Sequence, residues 1–406
     1  MSVLKLLDEL ADVGRNRTGG YQRLAWTTAD ADCRAWFVQN AEARGLEVET
    51  DRNGNLWAWL NASMAGTALV IGSHLDSVPS GGAYDGPLGV ASAFAALDAL
   101  MGDGFAPTRP VAVVAFADEE GARFGVACAG SRLLTGTLDR DKFLGLTDAG
   151  GVTAAEAMTV AGRAASDVGD DPARLARIGE FIELHVEQGH LATSAGVDGL
   201  TLDASLGIAT QIWPHGRWRF DFAGQQNHAG TTRLADRRDP MLDLARVILG
   251  VRDAAERAEI LATVGRVRVS PGAVNAIPGA ASAWVDARGD DEHRVRAAIA
   301  EIEGTLGGVA AIEESWTPPT PFDPSFSEDI RDAVGSASGT EPPLLPSGAG
   351  HDAGVLALAG IPTAMILVRN PSGISHAPEE YAEDADCELG VVALAAAVRR
   401  RAEQPR

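Results

Sequence analysis

Residues 68–76 read Ala68-Leu69-Val70-Ile71-Gly72-Ser73-His74-Leu75-Asp76: four apolar residues, two small ones, then an imidazole and, two positions on, a carboxylate. A short apolar run bounded by glycine is the pattern of a strand buried on both faces. Polar residues directly after it fall at the strand's C-terminal end, where open α/β sheets place their ligand sites. The arrangement recurs. Val111-Ala112-Val113-Val114-Ala115-Phe116 leads into Ala117-Asp118-Glu119-Glu120-Gly121, and Phe181-Ile182-Glu183-Leu184-His185 leads into Val186-Glu187-Gln188-Gly189. Near the C-terminus, a strand around Met365–Val368 precedes Ser375-His376-Ala377-Pro378. The Ala-rich segment Val90–Met101 has the composition of a crossover helix, so these strands are expected to lie mainly parallel.

The pattern changes after about Leu206. Gly216–Ala223 (GRWRFDFA) alternates polar and apolar residues, as a half-exposed antiparallel strand does. Asp239–Arg257 reads as a helix, Thr263–Val269 and Ser282–Arg288 as strands, and Glu292–Gly304 as a helix. A compact βαββαβ-like unit inserted in a larger domain fits this order, with the Pro-rich stretch Thr317–Pro324 as its exit. The expected fold is therefore α/β. A large domain (1–207 and 323–406) carries a mainly parallel sheet with helices on both faces, and a smaller α+β domain is inserted over 208–322.

A chain of 406 residues is long enough for two cores. Its 34 Lys and Arg against 56 Asp and Glu leave a net charge of −22, a field that repels nucleic acid and anionic membranes. Neither is expected as a partner; a local cationic pocket for a small anion remains compatible. Cys33, Cys128 and Cys387 are scattered without paired spacing, which suggests neither a disulfide framework nor a cysteine metal site. Asp8, Glu9 and Asp12 stand where a signal peptide would be apolar, so the N-terminus reads as an amphipathic helix and a cytoplasmic location is expected.

The strand-end clusters carry the chemistry. His74 has Asp76 two residues on, placed to orient its ring. Asp85 follows eleven residues after His74, in the glycine-bounded stretch Gly81-Gly82-Ala83-Tyr84-Asp85-Gly86. Three successive acids after a buried strand concentrate negative charge, which is unfavourable unless a cation neutralises it. Each cluster alone has a plain structural reading, as a satisfied histidine or a solvated acidic loop. Their recurrence at successive strand ends points to one convergent site.

The motifs GSHLDSV, GGAYDGPLGV, EEGARFG, LHVEQG, NHAGTT, VNAIPG, GAGHDA and GISHAPEE run in order from residue 72 to residue 380. Together they resemble those of the dinuclear metallopeptidase/aminoacylase family, and specifically its hydantoinase/carbamoylase branch. That branch includes N-carbamoyl-L-amino-acid hydrolases, β-ureidopropionases and allantoate amidohydrolases. The resemblance implies two divalent ions bridged by Asp85, with His74 and His185 completing one site and Glu120 and His376 the other. Such N/O donor sets suit Zn²⁺ or Mn²⁺, and also Co²⁺ or Ni²⁺. His185 stands where related peptidases use an acid, which favours the carbamoylase branch. Glu119 is implied as general base and His228 as oxyanion donor. Arg288 and Asn275 would hold a substrate carboxylate, and Gln188 and His351 the amide or carbamoyl end.

The resemblance also implies that the inserted unit is a lid and dimerisation domain of a homodimer, able to lend His228 to its partner's site. Its strand near Arg217–Phe222 is then expected to be the open pairing edge. Two features depart from the family pattern: His190, where proline is common, and the aromatic and basic stretch Ile212–Trp218, which reads either as strand packing or as a shaper of substrate choice. The function expected is hydrolysis of a linear, non-peptide C–N bond on a small carboxylate-bearing substrate. An N-acyl-amino-acid amidohydrolase or dipeptidase is the alternative enzyme, and a catalytically idle binding protein the alternative class.

Overall fold

A computed structural model describes residues 1–189, 204–306 and 309–403. His190 lies outside them. The described residues divide into two compact units, one of 1–189, 204–211 and 321–403, the other of 212–306 and 309–320.

The first unit is built on a nine-stranded sheet. Its strands are β1 (Glu47–Thr50), β2 (Leu56–Leu60), β3 (Ala68–His74), β4 (Val111–Phe116), β5 (Ile178–Val186) and β6 (Leu206–Ile212), joined later in the chain by three more. The second unit holds β7 (His215–Ala223), β8 (Asn227–His228), β9 (Leu261–Ser270), β10 (Ala276–Ile277), β11 (Ala280–Arg288) and β12 (Ile312–Thr317). The strands β13 (Thr320–Pro321), β14 (Leu344–Ser347) and β15 (Thr363–Val368) complete the large sheet. Its order is β1-β2-β4-β3-β5-β15-β6-β13, with β14 on β6.

The four central strands β4, β3, β5 and β15 are parallel, and antiparallel strands flank them. The reason is in their composition. β4 is apolar throughout, β15 is apolar after Thr363, and both are buried at every position, as strands covered on both sides must be. The helix Pro87–Gly102 starts with proline at its first position, packs on β3 and buries nearly its whole length. Gly72 has φ +143°, and a Cβ there would fall 2.0 Å from the Val114 carbonyl oxygen, so only glycine lets β3 pass β4 at this point. The parallel order brings the ends of β3, β4 and β5 side by side.

The second unit is a four-stranded antiparallel sheet, ordered β12-β7-β11-β9, with helices Met241–Ala258 and Glu292–Thr305. Phe220, Phe222, Val247, Val251, Val285 and Val295 lie in its core. The tryptophans of the stretch 212–218 are packing residues: Trp213 and Trp218 are buried, and Trp218 meets Trp316 with ring centroids 5.9 Å apart.

Two sequence expectations change here, and one element is new. β6 belongs to the large sheet, antiparallel to β15, so the first junction falls at 212 rather than 208, and the second at 320 rather than 322. The stretch 47–60 forms an antiparallel hairpin that extends the sheet beyond β4. Arg217–Phe222 is an edge only in part, because β11 pairs along all of β7 on one side while β12 covers His215–Arg219 on the other and no described strand pairs with Phe220–Phe222 there. The outer strands of this sheet are β12 and β9, and β9 exposes Leu261 and Val267. No helix of the described residues is long and apolar enough to cross a membrane.

The first unit is fastened at the N-terminal end of β5 by a buried ion network. Glu180 accepts from Arg109 Nη1 at 2.9 Å and Arg401 Nη2 at 2.8 Å, tying β5 to the C-terminal helix Asp384–Ala402. Glu180→Gln removes the charge and leaves Arg109 buried without it. Urea unfolding is expected to show a loss of about 3 kcal/mol or more. An unchanged midpoint would contradict this role.

Candidate metal centre

His74 ends β3 and His185 is the penultimate residue of β5. Both rings are buried. His74 Nδ1 donates to the Asp76 carbonyl oxygen at 3.1 Å, and His185 Nδ1 to the Val186 carbonyl oxygen at 2.8 Å. A carbonyl only accepts, so these bonds put a proton on each Nδ1 and leave Nε2 as the atom with which each ring would bind a cation. The two Nε2 atoms face one oxygen, Asp85 Oδ1, at 3.4 and 3.3 Å. Neither makes a hydrogen bond among the described residues.

The other oxygen, Asp85 Oδ2, lies 3.3 Å from His376 Nε2, which lies 3.5 Å from Glu120 Oε2. Two donor groups therefore share Asp85: His74, Asp85 and His185 on one side, and Asp85, Glu120 and His376 on the other. Once the rings are deprotonated at Nε2, lone pairs aimed at a buried carboxylate repel it until a cation stands among them. The spacing fits one, since donors at ~2.1 Å from a tetrahedral ion lie roughly 3.4 Å apart. The residues present thus fit two divalent ions.

The loops that carry these donors are fixed by the chain itself. Gly86 has φ +84°, and a Cβ there would fall 2.4 Å from His74 Cε1, so glycine lets the Asp85 turn close over the ring. Glu380 Oε1 accepts the backbone N–H groups of Tyr84 and Asp85, both at 3.0 Å, while its Oε2 accepts from Ser375 Oγ at 3.0 Å. Glu380 thereby ties the Asp85 turn to the His376 loop. No local pattern separates it from the neighbouring Glu379. Asp76 meets His74 Nδ1 through its carbonyl oxygen at 3.1 Å and its carboxylate Oδ1 at 3.5 Å, and the same carboxylate also accepts the N–H groups of Glu119 and Glu120, both at 3.1 Å.

Glu119 is buried, with Oε2 3.7 Å from His74 Nε2, beside the donor groups but in neither. Burial raises its carboxyl well above the usual range, more than the nearby His74 lowers it. Asp85 behaves oppositely: burial pushes it up, but His185, His376 and His74 hold it well below. Burial and Asp85 raise Glu120 to about 7. Burial would depress His376, yet Asp85 and Glu120 outweigh it and raise the ring to about 9.

The remaining candidates fall in two places. Gln188 Nε2 donates to Asp85 Oδ2 at 2.7 Å and to Ser375 Oγ at 3.3 Å. His351 is buried with its ring 4.5 Å from that of His185, and its Nε2 lies 3.3 Å from Ser347 Oγ. Glu183, not singled out in the sequence, groups with His185 and His351 and accepts from Ser73 Oγ at 2.7 Å.

His228, Asn275 and Arg288 belong to the second unit. β8 pairs with β10, placing His228 opposite Ala276, and the Ala229 N–H donates to the Asn275 carbonyl oxygen at 3.0 Å. His228 Nδ1 accepts the Gly230 N–H at 3.0 Å, which leaves the exposed ring's proton on Nε2 as a donor. Arg288 is at the far end of β11, opposite His215, with Nε donating to Asp286 Oδ1 at 2.8 Å. Ala280 and Arg288 alone are eight residues apart, roughly 27 Å at ~3.4 Å per residue. Within one unit the structure does not bring Arg288 together with His228 and Asn275.

Two N/O donor groups sharing one carboxylate, with a glutamate beside them, are the makeup of a dinuclear metallohydrolase. A family model for peptidase family M20/M25/M40 matches residues 70–400, and the chain belongs to that family. It is 35% identical over 399 residues to an N-carbamoyl-L-amino acid amidohydrolase of Geobacillus stearothermophilus, covering 96% of this chain and 95% of that one. It is 31% identical over 405 residues to the allantoate amidohydrolase of Escherichia coli K12, covering 97% and 96%. The crystal structure of a hydantoinase/carbamoylase family amidase from Burkholderia vietnamiensis matches with a TM-score of 0.89 and 30% identity, covering 100% of this chain and 97% of that one.

The pKa directions predict how cations load. Without a metal, His376 keeps its proton up to about 9 and Glu120 up to about 7. Loading must expel these protons, so apparent affinity falls as pH drops through that window. Calorimetry in buffers of different ionisation enthalpy should show release of about one proton or more per chain near pH ~7.5. Loading without proton release would contradict the assignment.

Proposed function

We propose that this enzyme hydrolyses the N-carbamoyl group of an L-amino acid, or the equivalent C–N bond of a related ureido acid such as allantoate. The observation that carries the reading is the pair of donor groups meeting on Asp85 with Glu119 alongside, ligating neither. Its relatives are named for this chemistry. Two divalent ions, Zn²⁺ or Mn²⁺ with Co²⁺ or Ni²⁺ as alternatives, would be held by His74, Asp85, Glu120, His185 and His376. When bound they supply Lewis acidity.

The chain's own residues do the rest. Glu119 takes a proton from the attacking water and delivers it to the departing nitrogen. Its raised pKa suits a group that must accept and return a proton near neutrality. His228 donates from Nε2 to the carbonyl oxygen as negative charge develops there. Arg288 and Asn275 bind the substrate carboxylate, Arg288 through its planar fork. Gln188 and His351 hold the carbamoyl end, for which Gln188 must give up its bond to Asp85.

A homodimer accounts for the separation along β11. A small ureido acid cannot span the strand that divides Arg288 from His228 and Asn275, so two copies are needed to supply all three. The open edge β9 and the exposed Leu242, Ile248 and Leu249 of the helix Met241–Ala258 are the surface we assign to the partner.

Metal-reloaded enzyme is to be offered N-carbamoyl, N-formyl and N-acetyl amino acids, dipeptides and allantoate, with products identified. Ammonia from a carbamoyl or ureido substrate is expected. Turnover confined to acetyl substrates or dipeptides would replace this reading with an acylase or dipeptidase. Glu119→Gln should lower kcat at least ~10²-fold, with metal content retained.

The shared site has its own test. Glu119→Gln and His228→Ala, each inactive, are mixed under subunit exchange. With random pairing and additive sites, about a quarter of parental activity should return. No recovery in samples shown by mass to have exchanged would rule out sharing.

A further inference from the structure

Glu119 has to present one carboxylate oxygen to its proton donor, which requires that the other be held. Its backbone is clamped from both sides. Asp76 accepts the Glu119 N–H at 3.1 Å, and the Cys128 N–H donates to the Glu119 carbonyl oxygen at 2.6 Å. The pairing continues outward, Ala129 N–H to Asp118 O at 3.0 Å and Gly130 N–H to Ala117 O at 2.9 Å. The segment after the acidic triplet thus folds back along it.

The fold-back is made at a conformational cost. Asp118 and Cys128 both have φ +54°, left-handed backbone that non-glycine residues adopt rarely, and they flank the segment at its two ends. The outcome is a side-chain contact: Cys128 Sγ lies 3.5 Å from Glu119 Oε1. Oε2, the oxygen nearer His74, carries no hydrogen bond from a described residue. Among the described residues, the thiol is the one group that donates to this carboxylate.

We infer that Cys128 is a positioning residue for the reaction: its S–H holds Glu119 Oε1 and so turns Oε2 toward the donor groups. The inference rests on the reading of Glu119 as the base. A thiol is suited to the task because it is a weak donor. It fixes the rotamer while drawing little electron density from the carboxylate, whereas a guanidinium or ammonium would hold the base as an inert ion pair. Cys128 is also buried, with a thiol that burial and Glu119 push well above its ordinary range, so it is no nucleophile itself.

The competing reading makes Cys128 a small buried apolar filler, and the two readings order the variants oppositely. If the thiol acts as donor, Cys128→Ser keeps a donor on the same Cβ and stays within about threefold of parental kcat. Cys128→Ala then loses about tenfold in kcat, with KM and metal content unchanged. If it only fills space, Cys128→Ala is near parental and Cys128→Ser, which buries a hydroxyl, is the poorer enzyme.

A second readout does not depend on turnover. The infrared S–H stretch of Cys128, isolated as the difference between parent and Cys128→Ser, should move to higher frequency in Glu119→Ala as the hydrogen bond is lost. An unmoved band, or Cys128→Ala at least as active as Cys128→Ser, overturns the proposal. Should Glu119→Gln turn over normally while the band still moves, the contact stands and the assignment of the base fails.

Discussion

The Asp85 carboxylate is the constraint around which the first unit is organised. Three imidazole nitrogens lie within 3.4 Å of its two oxygens, and they come from the end of β3, the end of β5 and the loop after β15. Bringing three segments to one carboxylate demands a turn that passes directly over His74, hence Gly86, and a second carboxylate to pin that turn, hence Glu380. It also draws in Asp76, Asp118 and Glu119, all buried. Buried like charges raise one another's pKa and oppose folding. The arrangement makes physical sense only with cations among the donors, and cation binding then stabilises the unit as well as equipping it.

The parallel core explains why part of this was legible in the sequence. An apolar run of strand length followed at once by His or Glu can be read without any partner, because the C-terminal end of a parallel strand is a fixed address. His74, Glu119, Glu120 and His185 all sit at such addresses. Asp85 and His376 lie on irregular loops, where no periodicity marks them; flanking glycines and a preceding apolar run draw attention to them, and only the family motifs imply ligand roles. Pairing order was the harder problem. That β6 joins the large sheet, and that β12 covers Arg217 and leaves β12 and β9 as the outer strands, depends on contacts between distant residues that alternation along one strand does not encode. Glu380 and Cys128 went unread for a related reason. Each acts through a hydrogen bond to a residue far away or folded back, and neither residue type is unusual in its local sequence.

The two units divide the chemistry. Among the described residues, the first holds every donor group that could bind a cation, together with Glu119. The second carries His228 and Asn275 on a short exposed ribbon at one end of β11 and Arg288 at the other. A strand is stiff, so its length acts as a ruler that keeps these groups apart within one copy. On the proposed reading, selection through Arg288 and hydrolysis at the buried centre fall to different cores, and a homodimer is the arrangement proposed to let one small substrate meet them all.

The claim on which everything above turns is that one carboxylate serves two ions. The direct measurement is elemental analysis of Asp85→Ala beside the parent enzyme, after both are stripped and reloaded with the same divalent cation. The account predicts that the parent takes up about two ions per chain and that the variant loses both together, since each donor group is left with only two protein ligands. An Asp85→Ala protein that keeps the parent's metal content, or loses a single ion, would contradict it.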